Sequence, residues 1–337
     1  MNIIYLLKNI NIDFIMHFSW VNQSNINNKY ISKYCTSFQN QIPVYNNVNL
    51  SNIDIQKDIY ESFYYGTGSI IVKNAYKKLT MENYNKWCIE NMNNFCDKNI
   101  NHPKQKNKIL INDLIDRLTT NMDLFIDITG NIPLNNYLDV LLGKFKFGSI
   151  TGHWIEPNGD RQISHVDYPI HVGSGPFWEN SIDKLKDYTT KYQLNNILPF
   201  YSCQVIIATD KMGKFNGSTE LIPSSHLIED IDIKILDQQY KENIESQFIN
   251  VELEQGDFLI FNRRLCHRGG KNVSNYRRNS IIAQCVWFWG IGQEIIEEDT
   301  INYIKENEKF KQLNQEKQNM ILSRITHPYP KNVKNST

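Results

Sequence analysis

The sequence predicts a mainly β protein with flanking helices, and three observations carry that expectation. From about residue 144 to 290, short runs rich in Ile, Val, Phe and Trp alternate with Gly, Asn, Asp and Pro. That texture is typical of the strands and turns of an all-β sandwich or barrel. Helical periodicities precede this region, and a charged, helix-prone stretch follows it. With 337 residues, 41% hydrophobic and 12% aromatic, the chain can bury a sizeable core. We expect an N-terminal extension with loops over 1–60, one domain over 61–292 with its β-core at about 145–290, and a helical tail over 293–337.

Taken in order, residues 1–60 are rich in Asn, Ser and Tyr and show weak periodicity, so they read as loops and short elements around a core. The opening MNIIYLLKNINIDFIM is apolar only in patches, interrupted by Lys8, Asn9, Asn11 and Asp13. It lacks the unbroken apolar stretch and small-residue cleavage site of a secretory leader. No run approaches the ~20 apolar residues of a membrane helix, so a cytoplasmic protein is expected, starting at Met1 or Met16. Over 80–98, Tyr84, Trp87, Cys88, Ile89, Met92 and Phe95 recur at helical spacing, which predicts an amphipathic helix. Residues 109–127 and 134–143 give weaker helical patterns. The β region reads as KFGSITGHWIEP, NGDRQISHVDYP, FYSCQVIIATD, GSTELIPSSH, VELEQGDFLIFN and YRRNSIIAQCVWFW, with one helical insertion at about 230–247. The stretch 294–325 is charged and helix-prone, and its charge run reads as a solvated helix face.

Composition excludes some classes of function. Lys+Arg 36 balances Asp+Glu 36, and no basic stripe marks a nucleic-acid surface. The six cysteines (Cys35, Cys88, Cys96, Cys203, Cys266, Cys285) include no CxxC pair, which argues against a structural zinc site. They read as buried free thiols in a reducing compartment.

The chemistry is concentrated in two segments. In ISHVDYP, taken as extended, side chains alternate, so His165 and Asp167 point to the same side and can hold one ion. The third ligand expected is His267, at the end of the apolar run DFLIFNRRLC and just before a Gly-Gly turn. Two His and one carboxylate on one triangular face suit a non-haem ferrous ion, because three protein ligands leave three octahedral positions open. A 2-oxo acid can fill two of these through its carboxylate and keto oxygen, and dioxygen the third. Arg278 lies eleven residues beyond His267, and Ser280 shares its face if the segment is a strand. A guanidinium with a neighbouring hydroxyl suits the far carboxylate of 2-oxoglutarate. Arg277 should face the other way.

Four blocks in order, SHVDYP, NGSTELIPSSH, GDFLIFNRRLCHRGGKN and the following RRNS, resemble the phytanoyl-CoA dioxygenase-like family of Fe(II)/2-oxoglutarate oxygenases over about residues 145–290. One departure is Ser224, where the family usually has Gly in a turn. The resemblance implies a double-stranded β-helix (jelly-roll, cupin-like) core. It implies His165, Asp167 and His267 as iron ligands, Arg278 and Ser280 as 2-oxoglutarate anchors, and O2 as oxidant, with ascorbate helping in vitro. It also implies a small-molecule or lipid-like substrate that is hydroxylated with release of succinate and CO2. Two other readings stay open: a cupin-like metalloenzyme of another class, or a non-catalytic binding protein on an oxygenase scaffold.

Other residues are weighed more evenly. His226 fits a turn capped by Ser224 or Ser225 better than a metal role. Gln162 suits either co-substrate contact or a structural hydrogen bond. Tyr168, His171, Phe177 and Trp178 either line a substrate mouth or seal the core. His153 and Trp154 receive no role.

Overall fold

The computed structural model describes residues 32–46, 48–91, 107–167, 202–227, 245–287 and 296–326. Eleven strands are found among them, in two sheets. The large sheet comprises β1 (Ser37–Gln39), β2 (Ile42–Tyr45), β3 (Ser69–Val72), β4 (Lys108–Ile111), β5 (Phe145–Ile155), β6 (Ser202–Ala208), β9 (Phe258–Asn262) and β11 (Arg278–Trp287). Its spatial order is β1-β2-β3-β9-β6-β11-β5-β4, and only the β2–β3 pairing is parallel. The small sheet has β7 (Thr219–Leu221) between β10 (His267–Gly269) and β8 (Ile249–Asn250).

Strand alternation sorts the apolar side chains into two layers. Ile71, Ile206, Leu259 and Phe261 of the large sheet pack with Leu221 of the small one, so the two sheets close on each other. On the opposite face Ile70, Val205, Ile207, Ile260, Ile281 and Ala283 pack with helical residues such as Phe63, Tyr84, Leu138 and Ile321. The helices supplying this cover are α1 (Ile53–Tyr64), α2 (Lys78–Glu90), α3 (Leu114–Leu118), α4 (Met122–Thr129), α5 (Ile132–Leu142), α6 (Glu298–Glu306), α7 (Glu308–Lys311) and α8 (Gln315–Ile325). The protein is therefore sheet-rich with flanking helices.

Several boundaries differ from expectation. The helix foreseen over 109–127 is a strand and two short helices. The apolar run KILI pairs along β5 as β4, and Asn107 and Asp113 take left-handed φ of 56° and 52° at its borders. Of the helix expected over 80–98, α2 forms as far as Glu90, and residues 92–98 lie outside the described residues. So does nearly all of the insertion expected at 230–247. The helix-prone stretch expected over 294–325 forms three helices within 296–325, α6, α7 and α8, and their solvated charges are balanced by a buried stripe of Ile301, Ile304, Phe310, Ile321 and Ile325. No described helix is long and apolar enough to cross a membrane.

Candidate metal centre

His267 opens β10, and His165 pairs with it as an isolated antiparallel bridge, each backbone N–H donating to the other's carbonyl at 3.0 and 2.9 Å. Asp167 is tied next, its N–H donating to the Arg263 carbonyl at 2.9 Å. These main-chain bonds place three side chains at one spot. The Asp167 carboxylate lies 3.8 Å from His165 Nε2 and 3.6 Å from His267 Nε2, and the candidate ligand atoms all fall within 4.8 Å of one another. The imidazole rings stand 4.5 Å apart.

The tautomers suit a ligand role. His165 Nδ1 lies 2.8 Å from the Ile163 carbonyl, and His267 Nδ1 2.9 Å from the Leu265 carbonyl. A carbonyl only accepts, so each Nδ1 carries the hydrogen and each Nε2 presents its lone pair toward Asp167. Burial pulls His267 down to about 4 despite the attraction of Asp167, so its ring is neutral at neutral pH, as ligation requires. The donor set fits a first-row transition metal that keeps open positions. Behind the carboxylate, the buried Arg263 guanidinium approaches Asp167 Oδ2 at 3.7 Å, and Phe261 packs edge-on to His267 at 4.8 Å.

Arg278 and Ser280 share one face of β11, as their spacing predicts. Both are buried, with Arg278 Nη1 donating to Ser280 Oγ at 2.7 Å. Nε and Nη2 donate to the carbonyls of Asn216 and Gly217. These bonds fix the guanidinium and leave its other N–H groups for a ligand. Burial lowers Arg278 to about 10, with Asp210 holding it up, so it stays cationic at neutral pH. Arg277 faces the other way, paired with Glu156 at 2.6 Å and stacked on Trp154.

One residue escaped the sequence reading. Lys108 and Arg278 both stand directly opposite Ile155, one on each side of β5, so they share an inward face. Lys108 is buried. Burial first, and then the like charge of Arg278, pull it down to about 7, while Asp167 raises it. Lys108 sits one residue before the segment expected to be helical, 109–127, although the run KILI between Asn residues was a strand signal.

The remaining candidates settle into supporting places. His226 is buried in a 3₁₀ turn (Ser225–Leu227), with Nε2 facing the Tyr64 carbonyl at 3.2 Å. Ser224 takes φ 63°, the left-handed region, which is why Gly is usual at that turn. Gln162 clips the C-terminal end of β10 twice, its side chain accepting from Gly269 N at 2.7 Å and its N–H donating to the Gly269 carbonyl. His153 bonds Thr151 Oγ1 at 2.8 Å, and Trp154 is in the core on the opposite face of β5. Tyr168, His171, Phe177 and Trp178 lie outside the described residues.

The fold and this cluster define a class: a sheet-rich, helix-flanked protein with a two-histidine, one-carboxylate centre. Residues 186–280 match the family model described as phytanoyl-CoA dioxygenase (PhyH), the same family that the four sequence blocks resemble. No curated protein matches the sequence. Among solved structures, the chain is similar to the non-haem α-ketoglutarate-dependent epimerase SnoN from nogalamycin biosynthesis. That likeness has a TM-score of 0.54 at 12% identity and covers 74% of this chain and 87% of that one. SnoN in complex with Fe3+, α-ketoglutarate and nogalamycin RO gives 0.52 at 13% identity, over 72% and 88%. The non-haem α-ketoglutarate-dependent carbocyclase SnoK gives 0.51 at 13% identity, over 73% and 90%. At these identities the likeness is one of fold.

Proposed function

We propose that this chain is an Fe(II)- and 2-oxoglutarate-dependent dioxygenase with a double-stranded β-helix core that hydroxylates a small molecule. The observation that carries the reading is the convergence of His165, Asp167 and His267 within 4.8 Å, with both Nε2 atoms freed by their Nδ1 bonds. The family match and the folds of SnoN and SnoK support it. When bound, the ferrous ion and 2-oxoglutarate supply the oxidising chemistry, consuming dioxygen and releasing succinate and CO2. The chain's own residues bind and orient. His165, Asp167 and His267 hold the metal. Arg278, with Ser280 and Lys108 on the same inner face, receives the co-substrate's far carboxylate. Arg263 steadies Asp167 from behind. Asp167 fills the position that related halogenases leave for a halide, which favours hydroxylation. The epimerisation and carbocyclisation named for SnoN and SnoK belong to those proteins.

The test uses purified protein with Fe(II), 2-oxoglutarate and ascorbate. Wild type should retain iron and release succinate. Asp167→Ala and His267→Ala should lose both, and unchanged iron content would refute the metal assignment. Arg278→Ala should raise the KM for 2-oxoglutarate by about one to two orders of magnitude, the worth of a charge-assisted hydrogen-bond pair. Transfer of an oxygen atom from dioxygen to product separates hydroxylation from ring closure or epimerisation.

A further inference from the structure

A second polar feature lies on the inner face of the large sheet. Gln204 in β6 stands directly opposite Gln284 in β11 and, on its other side, opposite Phe261 in β9. Gln284 in turn stands opposite Ser149 in β5. Directly opposed residues share a face, so Ser149, Gln284, Gln204 and Phe261 form one row across four strands. Phe261 belongs to the cluster between the two sheets, and its ring packs on His267. The row therefore faces inward and ends at the metal centre. Along β11 the same face carries Arg278, Ser280 and Ile282, so the cationic end is separated from the glutamines by the length of the strand.

The row is not satisfied by its own members. Ser149 Oγ donates to Gln284 Oε1 at 3.5 Å, which engages one end of that amide. Its Nε2 is buried and has no partner among the described residues, and the same holds for Gln204 Oε1. Gln284 is only 2% exposed. A buried donor beside a buried acceptor, both unused, lowers stability, and apolar side chains of the same shape would fold better. The metal triad and the Arg278–Ser280 anchor use neither atom.

We propose that Gln204 and Gln284 form the hydrogen-bonding wall of the substrate pocket and take a neutral group presenting a donor and an acceptor side by side, a carboxamide or peptide-like amide. The substrate N–H donates to Gln204 Oε1, and its carbonyl accepts from Gln284 Nε2. Neutrality follows from the row itself, which holds no charged side chain. The proposal rests on the oxygenase reading above, because it needs a reacting substrate beside the His267 centre.

Propionamide is the probe. Crystals of the full chain loaded anaerobically with Fe(II) and 2-oxoglutarate are soaked with it, and Gln204→Met and Gln284→Met are compared by thermal unfolding without ligand. The expected result is amide density bridging the two glutamines in wild type and none in either variant. Each variant should melt about 2 °C higher or more, since an unmet polar group has been removed. Variants that melt lower, or that fail to fold, would show that the glutamines serve the structure and would overturn the proposal. Propionamide missing from the row, with iron and 2-oxoglutarate in place, would overturn it too. Failure of the oxygenase reading is seen separately, as wild type that binds neither iron nor 2-oxoglutarate in calorimetry.

Discussion

In the proposed site, Lys108 is a buried cation on the same inner face as Arg278, and its charge state is the one that would respond to a bound co-substrate. Free in solution a lysine holds its proton to about 10.4, whereas burial and Arg278 bring this one down to about 7. Between those values the unfolded chain binds a proton that the folded chain has released, so this group makes stability rise with pH across that window. A dicarboxylate bound between Lys108 and Arg278 would restore the charged form. At pH 8, therefore, 2-oxoglutarate should bind with uptake of a proton, read by calorimetry in buffers of different ionisation enthalpy. Lys108→Met should abolish the uptake and weaken binding about tenfold or more; uptake that persists in Lys108→Met would place the proton elsewhere. The clustering of His165, Asp167 and His267 and the shared face of Arg278 and Ser280 were legible beforehand, because an HxD in an extended segment and an Arg eleven residues past a histidine are short-range patterns. Lys108 was not, because nothing in its neighbours reveals that Ile155 and Arg278 lie beside it.

At the scale of elements, turns and strand pairing decide most. The SSH block was expected to be a turn capped by Ser224 or Ser225; it is a turn, but its serines bond to Gly66, Ile222 and Cys266 instead of capping it. Ser225 Oγ donates to the Ile222 carbonyl at 2.7 Å and accepts from Cys266 N at 2.8 Å, tying the turn to the strand that carries His267. Gly68, at the start of β3, closes against the same turn. Its φ is 78°, and a Cβ there would sit 2.4 Å from His226 Nδ1. Gly68→Ala should therefore cost about 1–3 kcal/mol, combining left-handed strain with a clash, seen as a lower urea midpoint. An unchanged midpoint would mean that the turn yields freely. The GD of GDFLIF has a structural purpose as well. The buried Asp257 carboxylate accepts from the backbone N–H groups of Asn74 and Glu254 and pairs with Lys73 at 2.7 Å, fixing the turn before β9. The misread segment at 109–127 shows the limit of periodicity: an apolar run as short as KILI fits a helix or a strand, and only an available partner edge decides.

For the whole molecule, the C-terminal helices fasten the helical layer to the sheet. Arg324 of α8 grips both oxygens of Asp139 in α5 at 2.6 and 2.8 Å, donates to the Phe145 carbonyl and stacks over the Phe145 ring at 4.0 Å. Arg324→Ala should destabilise the fold by about 2 kcal/mol, less than for a fully buried pair because Asp139 is partly exposed. Chemical denaturation measures this, and a shift within error would mean that the packing of Ile321 and Ile325 alone holds α8. Iron content should be unchanged in that variant, since α8 covers the face of the large sheet opposite the metal centre.

The sequence by itself determined the chemistry-bearing pattern: a β-rich core, a histidine and a carboxylate on one side of an extended segment, a distant histidine before a glycine turn, and a guanidinium with a hydroxyl two residues on. Those features are written in local spacing, where alternation and turn propensity act over a few residues. Only the tertiary structure decided which side chains from strands far apart in sequence share the inner face of the sheet. Lys108 beside Arg278, Arg263 behind Asp167, and Gln204 opposite Gln284 are consequences of strand order and register. Register is set by which edges find each other across the whole chain, so no window of sequence contains it.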